Sequence, residues 1–373
     1  MTPTSGPRVL RIYHSAVISE YRERERWLRE KHGWDVHTVA PPAWSEGGSR
    51  VEVERDADLP LHVVPIRGRR HPILFRYASG PLRRVLRQVR PALVDLHEEP
   101  YSLAAWRVLR AVAREAPAAA VCVYSAQNIH KRYPEPFRRL ERRALARAAA
   151  AYPCSNEAGE VLRRKGFTGS VHVIPLGVTV DDAPRSPNGR LRVGFVGRLV
   201  PVKGAHLALE AFARAASGLD ASFELVGTGP AEPQLRALAS HLSIAPRVEF
   251  AGFVPQPVAL ERIAAFDVLV VPSIASPSWK EQFGRVAAQA LASGTPVVAS
   301  DSGALAEVLG GCGVLTREGD VNDLAEKLRA LLVDPGLRAE LAAQGRVRAE
   351  ADLSWERVAD RVDAMYREAL ARG

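Results

Sequence analysis

Cysteine is nearly absent from this 373-residue sequence: Cys122, Cys154 and Cys312 are the only three, far apart and without disulfide or zinc spacing. Their apolar or glycine-rich surroundings predict small buried hydrophobes. No apolar run approaches the ~20 residues that cross a bilayer. The first residues, MTPTSGPRVLRIYHS, lack an apolar core followed by a small-residue cleavage site, so no secretory signal is expected. No GxxxxGK[ST] loop and no GxGxxG fingerprint occurs, which argues against ATPase and dinucleotide chemistry. Nor is there a nucleic-acid recognition motif, a cluster of His, Cys and Asp at metal-ligand spacing, or a sequence period of the kind that builds solenoids. No metal and no cofactor are expected. These absences leave a cytoplasmic globular protein as the expectation.

What is present fits two domains. The length is generous for one core, and 47% of residues are hydrophobic. The net charge of +9 is uneven: residues 1–184 hold 30 Lys and Arg against 20 Asp and Glu. Such an excess suits nucleic acid, an anionic membrane surface or an acidic substrate. The missing recognition motifs make nucleic acid the weakest of these, which leaves a peripheral membrane contact through the first half open.

Apolar runs alternate with helical patterns. Strands are predicted at Val9–Tyr13, Val36–Ala40, Val51–Glu54, Leu61–Ile66, Ala92–Leu96, Ala119–Tyr124, Ala151–Cys154 and Val171–Ile174. Helices are predicted at Ser19–His32, at Ile73–Arg90 with a break near Gly80-Pro81, at Phe137–Ala149, and from the cap Ser155 to Lys165. After a Pro-, Asn- and Gly-containing linker at 181–190 the alternation restarts with Arg192–Val196 and runs to a last helix at Trp355–Ala371. Alternation of this kind predicts two doubly wound parallel sheets: residues 1–184, and 185–354, with about 355–373 returning to the first. Ligands of such sheets bind at strand C-terminal ends, so a cleft between the two domains is the expected site.

Two stretches carry the chemistry. In Glu281–Gly303, EQFGRVAAQALASGTPVVASDSG, one carboxylate precedes a Phe-Gly step that opens a short helix. The free amides of a helix start hold anions, and a carboxylate beside an anion is placed to accept hydroxyl hydrogens instead. In Gly194–Gly204, GFVGRLVPVKG, Gly197 lets backbone approach a ligand, while Arg198 and Lys203 bring two cations to one turn. Charge that develops on a departing diphosphate needs such cations. An ordinary βα turn with solvated charges is the alternative.

GR-x4-KG, the VGTGP turn, PS…E-x-FG and G-x-PVVAS-x-SGA together resemble retaining family 4 glycosyltransferases of the GT-B fold, over nearly all of the second half and more loosely the first. The resemblance implies two Rossmann-like domains facing a central cleft, and a last helix that crosses back to the first. It also implies a nucleotide-diphosphate sugar, of UDP or GDP type, bound by the C-terminal domain. Carried over by motif, Arg198 and Lys203 hold the diphosphate and Glu281 binds the donor sugar; these three are the expected catalytic residues. The backbone of Phe283, Gly284, Arg285 and Val286 meets the phosphates, Phe253-Val254 lies at the nucleobase, and Gly197 and Gln282 are further donor-binding candidates. The family's second acidic residue, which binds ribose, falls at Gln289, a weaker partner.

The first half departs further. The family's Gly-Gly loop after the first strand is replaced by His14-Ser15-Ala16-Val17, and its cleft His falls at Gln127, followed by Asn128. His97, Glu98 and Glu99 end a strand, where they can meet acceptor or sugar; His97 and Glu98, with Gln127 and Asn128, are the acceptor-side candidates, and a core histidine is the competing reading of His97. Basic residues from Lys131 through Arg143 suit a phosphorylated acceptor, an acidic membrane or a solvated helix face. Asp56-Ala57-Asp58 resembles the metal-binding DxD of another glycosyltransferase fold, but it lies in a charged loop and follows no apolar strand. The expectation is metal-independent, retaining transfer of a sugar to an acceptor hydroxyl in surface polysaccharide, glycolipid or metabolite glycosylation. A non-catalytic nucleotide-sugar binder and an epimerase or phosphorylase on the same fold stay open. A phosphorylase of this fold would usually need a pyridoxal lysine and a longer chain.

Overall fold

The computed structural model describes residues 6–46, 49–68, 71, 73–180 and 189–372. Most of the linker expected at 181–190 lies outside the described residues. The chain divides into two units, one built from almost all of the chain up to Gly177 plus Trp355 onward, the other from Val178–Ser354.

The first unit holds a seven-stranded, all-parallel sheet of β1 (Arg8–Ile12), β2 (Asp35–Ala40), β3 (Leu61–Val63), β4 (Leu93–Leu96), β5 (Ala120–Ser125), β6 (Ala150–Pro153) and β7 (Ser170–Val171). In space the order is β7-β6-β5-β4-β1-β2-β3. The second unit holds β8 (Leu191–Val196), β9 (Ala221–Val226), β10 (Val248–Gly252), β11 (Val268–Val271), β12 (Val297–Ser300) and β13 (Val314–Thr316), in the order β10-β9-β8-β11-β12-β13. Both sheets therefore reverse direction of growth at their first strand, the Rossmann arrangement. The reversal opens a crevice at the C-terminal ends of β1 and β4 in one unit, and of β8 and β11 in the other. The central strands are apolar throughout because helices cover both faces; every residue of β4, β5, β11 and β12 is buried.

The last helix, Trp355–Ala371, belongs to the first unit and is tied to it by polar contacts. Lys31 pairs with Glu356 at 2.8 Å, the Trp34 indole donates to Asp363 at 2.7 Å, and the Tyr366 hydroxyl donates to Asp95 at 2.6 Å. Asp95 is fully buried on β4 and also meets the Arg24 guanidinium at 2.5 Å. Burial alone would raise its carboxyl, but the Arg24 and Arg11 guanidiniums and the Tyr152 and Tyr366 hydroxyls hold it below the usual range.

Several expected elements differ. The helix expected at Ile73–Arg90 begins only at Ser79 and ends at Val89. Pro81 fits in its first turn, where no N–H is needed, and Arg76–Tyr77 pairs antiparallel with Ile66–Arg67 instead. The strand expected at Leu61–Ile66 stops at Val63, and the chain re-forms an edge only after Pro65, which cannot donate. Ser19–Arg22 is a 3-10 turn ahead of the helix Glu23–Glu30. The strand at Val51–Glu54 is shifted to Ser49–Glu52, and that at Val171–Ile174 is the two-residue β7. Cys122 and Cys154 are buried as expected, but Cys312 is partly exposed on the Gly-rich turn before β13.

Candidate functional site

In the second unit, β8 runs into Gly197, whose φ of 157° is nearly extended, and the turn closes with a 3-10 segment, Pro201–Lys203. Gly204 ends it at φ 70°, with space for no side chain: a Cβ there would lie 1.9 Å from the Pro272 carbonyl oxygen. The turn is thus pressed against the end of β11, and the Ile274 amide donates to the Val202 carbonyl at 2.8 Å. From the other side, the chain after β11 returns through Ser273 to Glu281. The Ala304 amide donates to the Glu281 carbonyl at 3.0 Å, and Gly303 (φ 58°) leaves no room for a Cβ against that same oxygen. Glu281 is therefore fixed at its backbone.

Its carboxylate is fixed as well. Lys203 Nζ donates to Glu281 Oε2 at 2.6 Å, and Ser273 Oγ donates to the same oxygen at 2.9 Å. The Lys203 ammonium also lies 5.0 Å from the centre of the Trp279 ring, a cation–π distance. Two stretches singled out for separate roles meet as one ion pair, largely withdrawn from solvent, with side chains 21% and 9% exposed. Arg198 is exposed on the same turn.

Gly284 adopts φ 83° and starts the helix Arg285–Ala292, whose first-turn amides and dipole face the crevice end of the sheet. Phe283 is buried, Gln282 is exposed, and Arg285 and Val286 are half-buried. Gln289 is 6% exposed on this helix, and its Nε2 finds no partner among the described residues. Phe253, 39% exposed, and the half-buried Val254 follow β10.

In the first unit, the strand end His97-Glu98-Glu99 sends three side chains to three places. His97 is 5% exposed, stacks on Tyr124 at 3.8 Å and contacts the Tyr152 hydroxyl through Nδ1 at 3.0 Å. This ring is packed as a core histidine. Glu98, 1% exposed, accepts from Tyr77 at 2.8 Å and from the His14 amide at 2.9 Å, and meets His14 Nδ1 at 2.6 Å. Glu99 accepts from the Ala126 amide at 2.7 Å and the Ser125 hydroxyl at 3.0 Å, and burial pushes its carboxyl up to about 7. Gln127 is buried with both ends of its amide engaged, Oε1 by Lys165 at 2.6 Å and Nε2 by the Tyr133 hydroxyl at 2.8 Å. Asn128 is buried next to it in sequence. Asp56 and Asp58 are held by Ser19, Arg22 and Arg26, so that acidic pair serves as a loop clamp.

Residue reading alone gave no role to Ser273, Trp279, Tyr133 or Lys165. Position gave a signal for Ser273, which lies two residues beyond the apolar strand β11. Among the described residues no group of three or more His, Cys, Asp or Glu could hold a metal ion. No helix of the described residues is long and apolar enough to cross a membrane.

Known proteins are similar to this chain in both units. A family model described as "Glycosyltransferase Family 4" matches residues 25–182, and one described as "Glycosyl transferases group 1" matches residues 180–348. A D-inositol 3-phosphate glycosyltransferase of Acidothermus cellulolyticus is 35% identical over 267 residues, covering 64% of this chain and 58% of that protein. The chain spans about half the length of the curated relatives it matches, from 41% to 62%. Sucrose-phosphate synthase from Thermosynechococcus elongatus has the same fold, at a TM-score of 0.73 and 20% identity over 98% of this chain and all (100%) of that one. Anabaena HepE, crystallised with UDP and glucose, gives a TM-score of 0.71 at 18% identity, over 96% and 99% of the two chains. With two Rossmann-like units and matches that run from residue 25 to residue 348, the chain belongs to the family 4-like glycosyltransferases of GT-B fold.

Proposed function

We propose that the protein transfers a sugar from a nucleotide-diphosphate sugar, of UDP or GDP type, to an acceptor hydroxyl, with retention at the anomeric carbon and without a metal ion. The observation that carries this reading is the meeting of Lys203 and Glu281 at 2.6 Å. It joins a cation on the β8 turn to a carboxylate held just before a helix N-terminus. A diphosphate with a sugar attached needs both: positive charge for the leaving group and an acceptor of hydroxyl hydrogens for the sugar.

In this reading Arg198, Lys203 and the first-turn amides of Arg285–Ala292 stabilise the charge that develops on the departing diphosphate. These groups supply the positive potential that a metal ion gives in other sugar transferases. Glu281 orients the sugar, and the acceptor proton passes to the leaving phosphate oxygen. Gln289 faces the ribose and Phe253-Val254 the base. The first unit takes the acceptor. Its Gln127 and His97 act there as supports, because their polar atoms already serve Lys165, Tyr133 and Tyr152. The relatives' names favour a polyol, a sugar or a glycolipid as acceptor. A cytoplasmic place at an anionic membrane follows from the exposed Arg138, Arg139, Arg142 and Arg143 on the helix Phe137–Arg147.

The test is incubation with UDP-, GDP- and ADP-sugars, with nucleotide release followed in the presence and absence of polyol acceptors. Slow acceptor-free hydrolysis of one donor that is lost in Lys203→Ala supports an enzyme. Donor binding without turnover under every condition would instead mark a non-catalytic binder, and conversion of the donor sugar to an isomer an epimerase.

A further inference from the structure

Lys203 is the cation expected to meet the donor's diphosphate, yet it is already held by a carboxylate of the same site. Glu281 Oε2 takes two donors, Lys203 Nζ at 2.6 Å and Ser273 Oγ at 2.9 Å. The carboxylate cannot move off as a loop would, because its carbonyl is tied to the Ala304 amide and its α-carbon region is packed against Gly303. The ammonium has a second resting contact on the Trp279 ring. A phosphate that reaches Lys203 therefore competes with an intramolecular anion pre-positioned at contact distance.

From this competition we infer that Glu281 discriminates between the sugar-bearing donor and the free nucleoside diphosphate, and so helps to eject the product. The inference rests on the donor-site reading above. When a nucleotide-sugar binds, the phosphate takes Lys203 and the sugar hydroxyls donate to Glu281, so both members of the pair gain new partners. When a nucleoside diphosphate binds without a sugar, Lys203 is taken and Glu281 loses the ammonium held at 2.6 Å with nothing from the ligand in return. Drawing an ammonium away from a nearly buried carboxylate is unfavourable. The free diphosphate thus binds against a penalty that the donor does not meet. Once the sugar has left for the acceptor, re-forming the Lys203–Glu281 pair pushes the diphosphate out. Trp279 keeps the ammonium within reach of either partner through the exchange.

The experiment is titration calorimetry of UDP, GDP, UDP-glucose and GDP-mannose on the wild type, Glu281→Gln, Lys203→Met and the double variant. Glu281→Gln keeps the side-chain volume and still accepts from Ser273, and its unliganded melting temperature checks that it folds. The expected result is nucleoside diphosphate bound about 10-fold more tightly by Glu281→Gln than by the wild type, since one charge-assisted competitor is removed. The nucleotide-sugar should gain less or lose affinity, which shrinks the preference for donor over product. In the Lys203→Met background Glu281→Gln should have no such effect, because the competition acts through Lys203. Unchanged or weaker diphosphate binding by a folded Glu281→Gln would overturn the inference and leave the donor site standing. The same holds for equal tightening with and without Lys203, which would reveal a general charge effect. No binding of any of the four nucleotides to the wild type would overturn the donor-site reading and this inference with it.

Discussion

Replacing Gln289 with Glu tests the donor site where this chain departs from its family. The residue is 6% exposed in the second turn of Arg285–Ala292, and its Nε2 has no partner among the described residues. A buried unmatched amide costs about 1–3 kcal/mol, which a ribose hydroxyl accepting from Gln289 would offset. A ribose hydroxyl can accept from Gln289, whereas it would donate to a carboxylate. A charge-assisted hydrogen bond is about twice as strong as a neutral one, a difference of about 1–1.5 kcal/mol, or roughly 5- to 12-fold in affinity. The unliganded protein should respond with the opposite sign, because a carboxylate at this depth is desolvated. Gln289→Glu is thus expected to lower the unliganded melting temperature while tightening UDP or GDP, whichever nucleotide binds the wild type. Calorimetry with the ribonucleotide and its 2′,3′-dideoxy analogue reads the effect directly, since the gain should vanish when the hydroxyls are removed. An equal gain for the dideoxy analogue, or no gain at all, would refute the placement of ribose at Gln289.

Three further outcomes follow from the geometry. Asp95→Asn leaves the buried Arg24 with Glu25 as its remaining carboxylate and weakens the hold of Tyr366 on the last helix, so the first unit should lose about 1.5–3 kcal/mol by urea unfolding. Glu99 binds its proton more tightly in the folded chain, with a pKa raised from 4.5 to about 7. Its contribution to stability is complete below pH ~4.5 and is lost as pH rises through ~7, at most ~3 kcal/mol; the melting temperature of the wild type should fall relative to Glu99→Gln over that window. Gly204→Ala forces a Cβ onto the Pro272 carbonyl at φ 70° and displaces Lys203, so nucleotide affinity should drop by at least ~10-fold in the same calorimetric assay.

Much of the fold was legible because buried parallel strands write themselves as short apolar runs; the expected Ala92–Leu96 overshoots β4 by one residue, and the expected Arg192–Val196 lacks only the first residue of β8. Errors arose where local chemistry overrode the apolar pattern. Ile73 and Leu74 look helical beside the leucines that follow, yet they belong to the turn before an antiparallel pair. The motifs single out Lys203 and Glu281 but do not show their pairing. Lys203 and Glu281 are 78 positions apart, and only the Gly204–Pro272 and Gly303–Glu281 backbone contacts bring them together. Strand-end position was a poor guide to side-chain direction in the first unit. Alternation aims His97 into the Tyr124 and Tyr152 cluster and Glu98 toward His14, which a residue list cannot show. Gln127 was read as a ligand-facing group because its partner Lys165 is 38 positions downstream.

The central claim is that the crevice end of β8 and β11 is a nucleotide-sugar donor site that supports transfer. Its most direct measurement is proton NMR of the wild type and Lys203→Ala incubated with UDP- and GDP-sugars and a polyol acceptor. The account predicts an α-linked product from an α-linked donor, formed with one nucleotide class, and loss of that product in Lys203→Ala. A wild type that forms product with no donor, or a Lys203→Ala variant that forms it at the wild-type rate, would contradict the account.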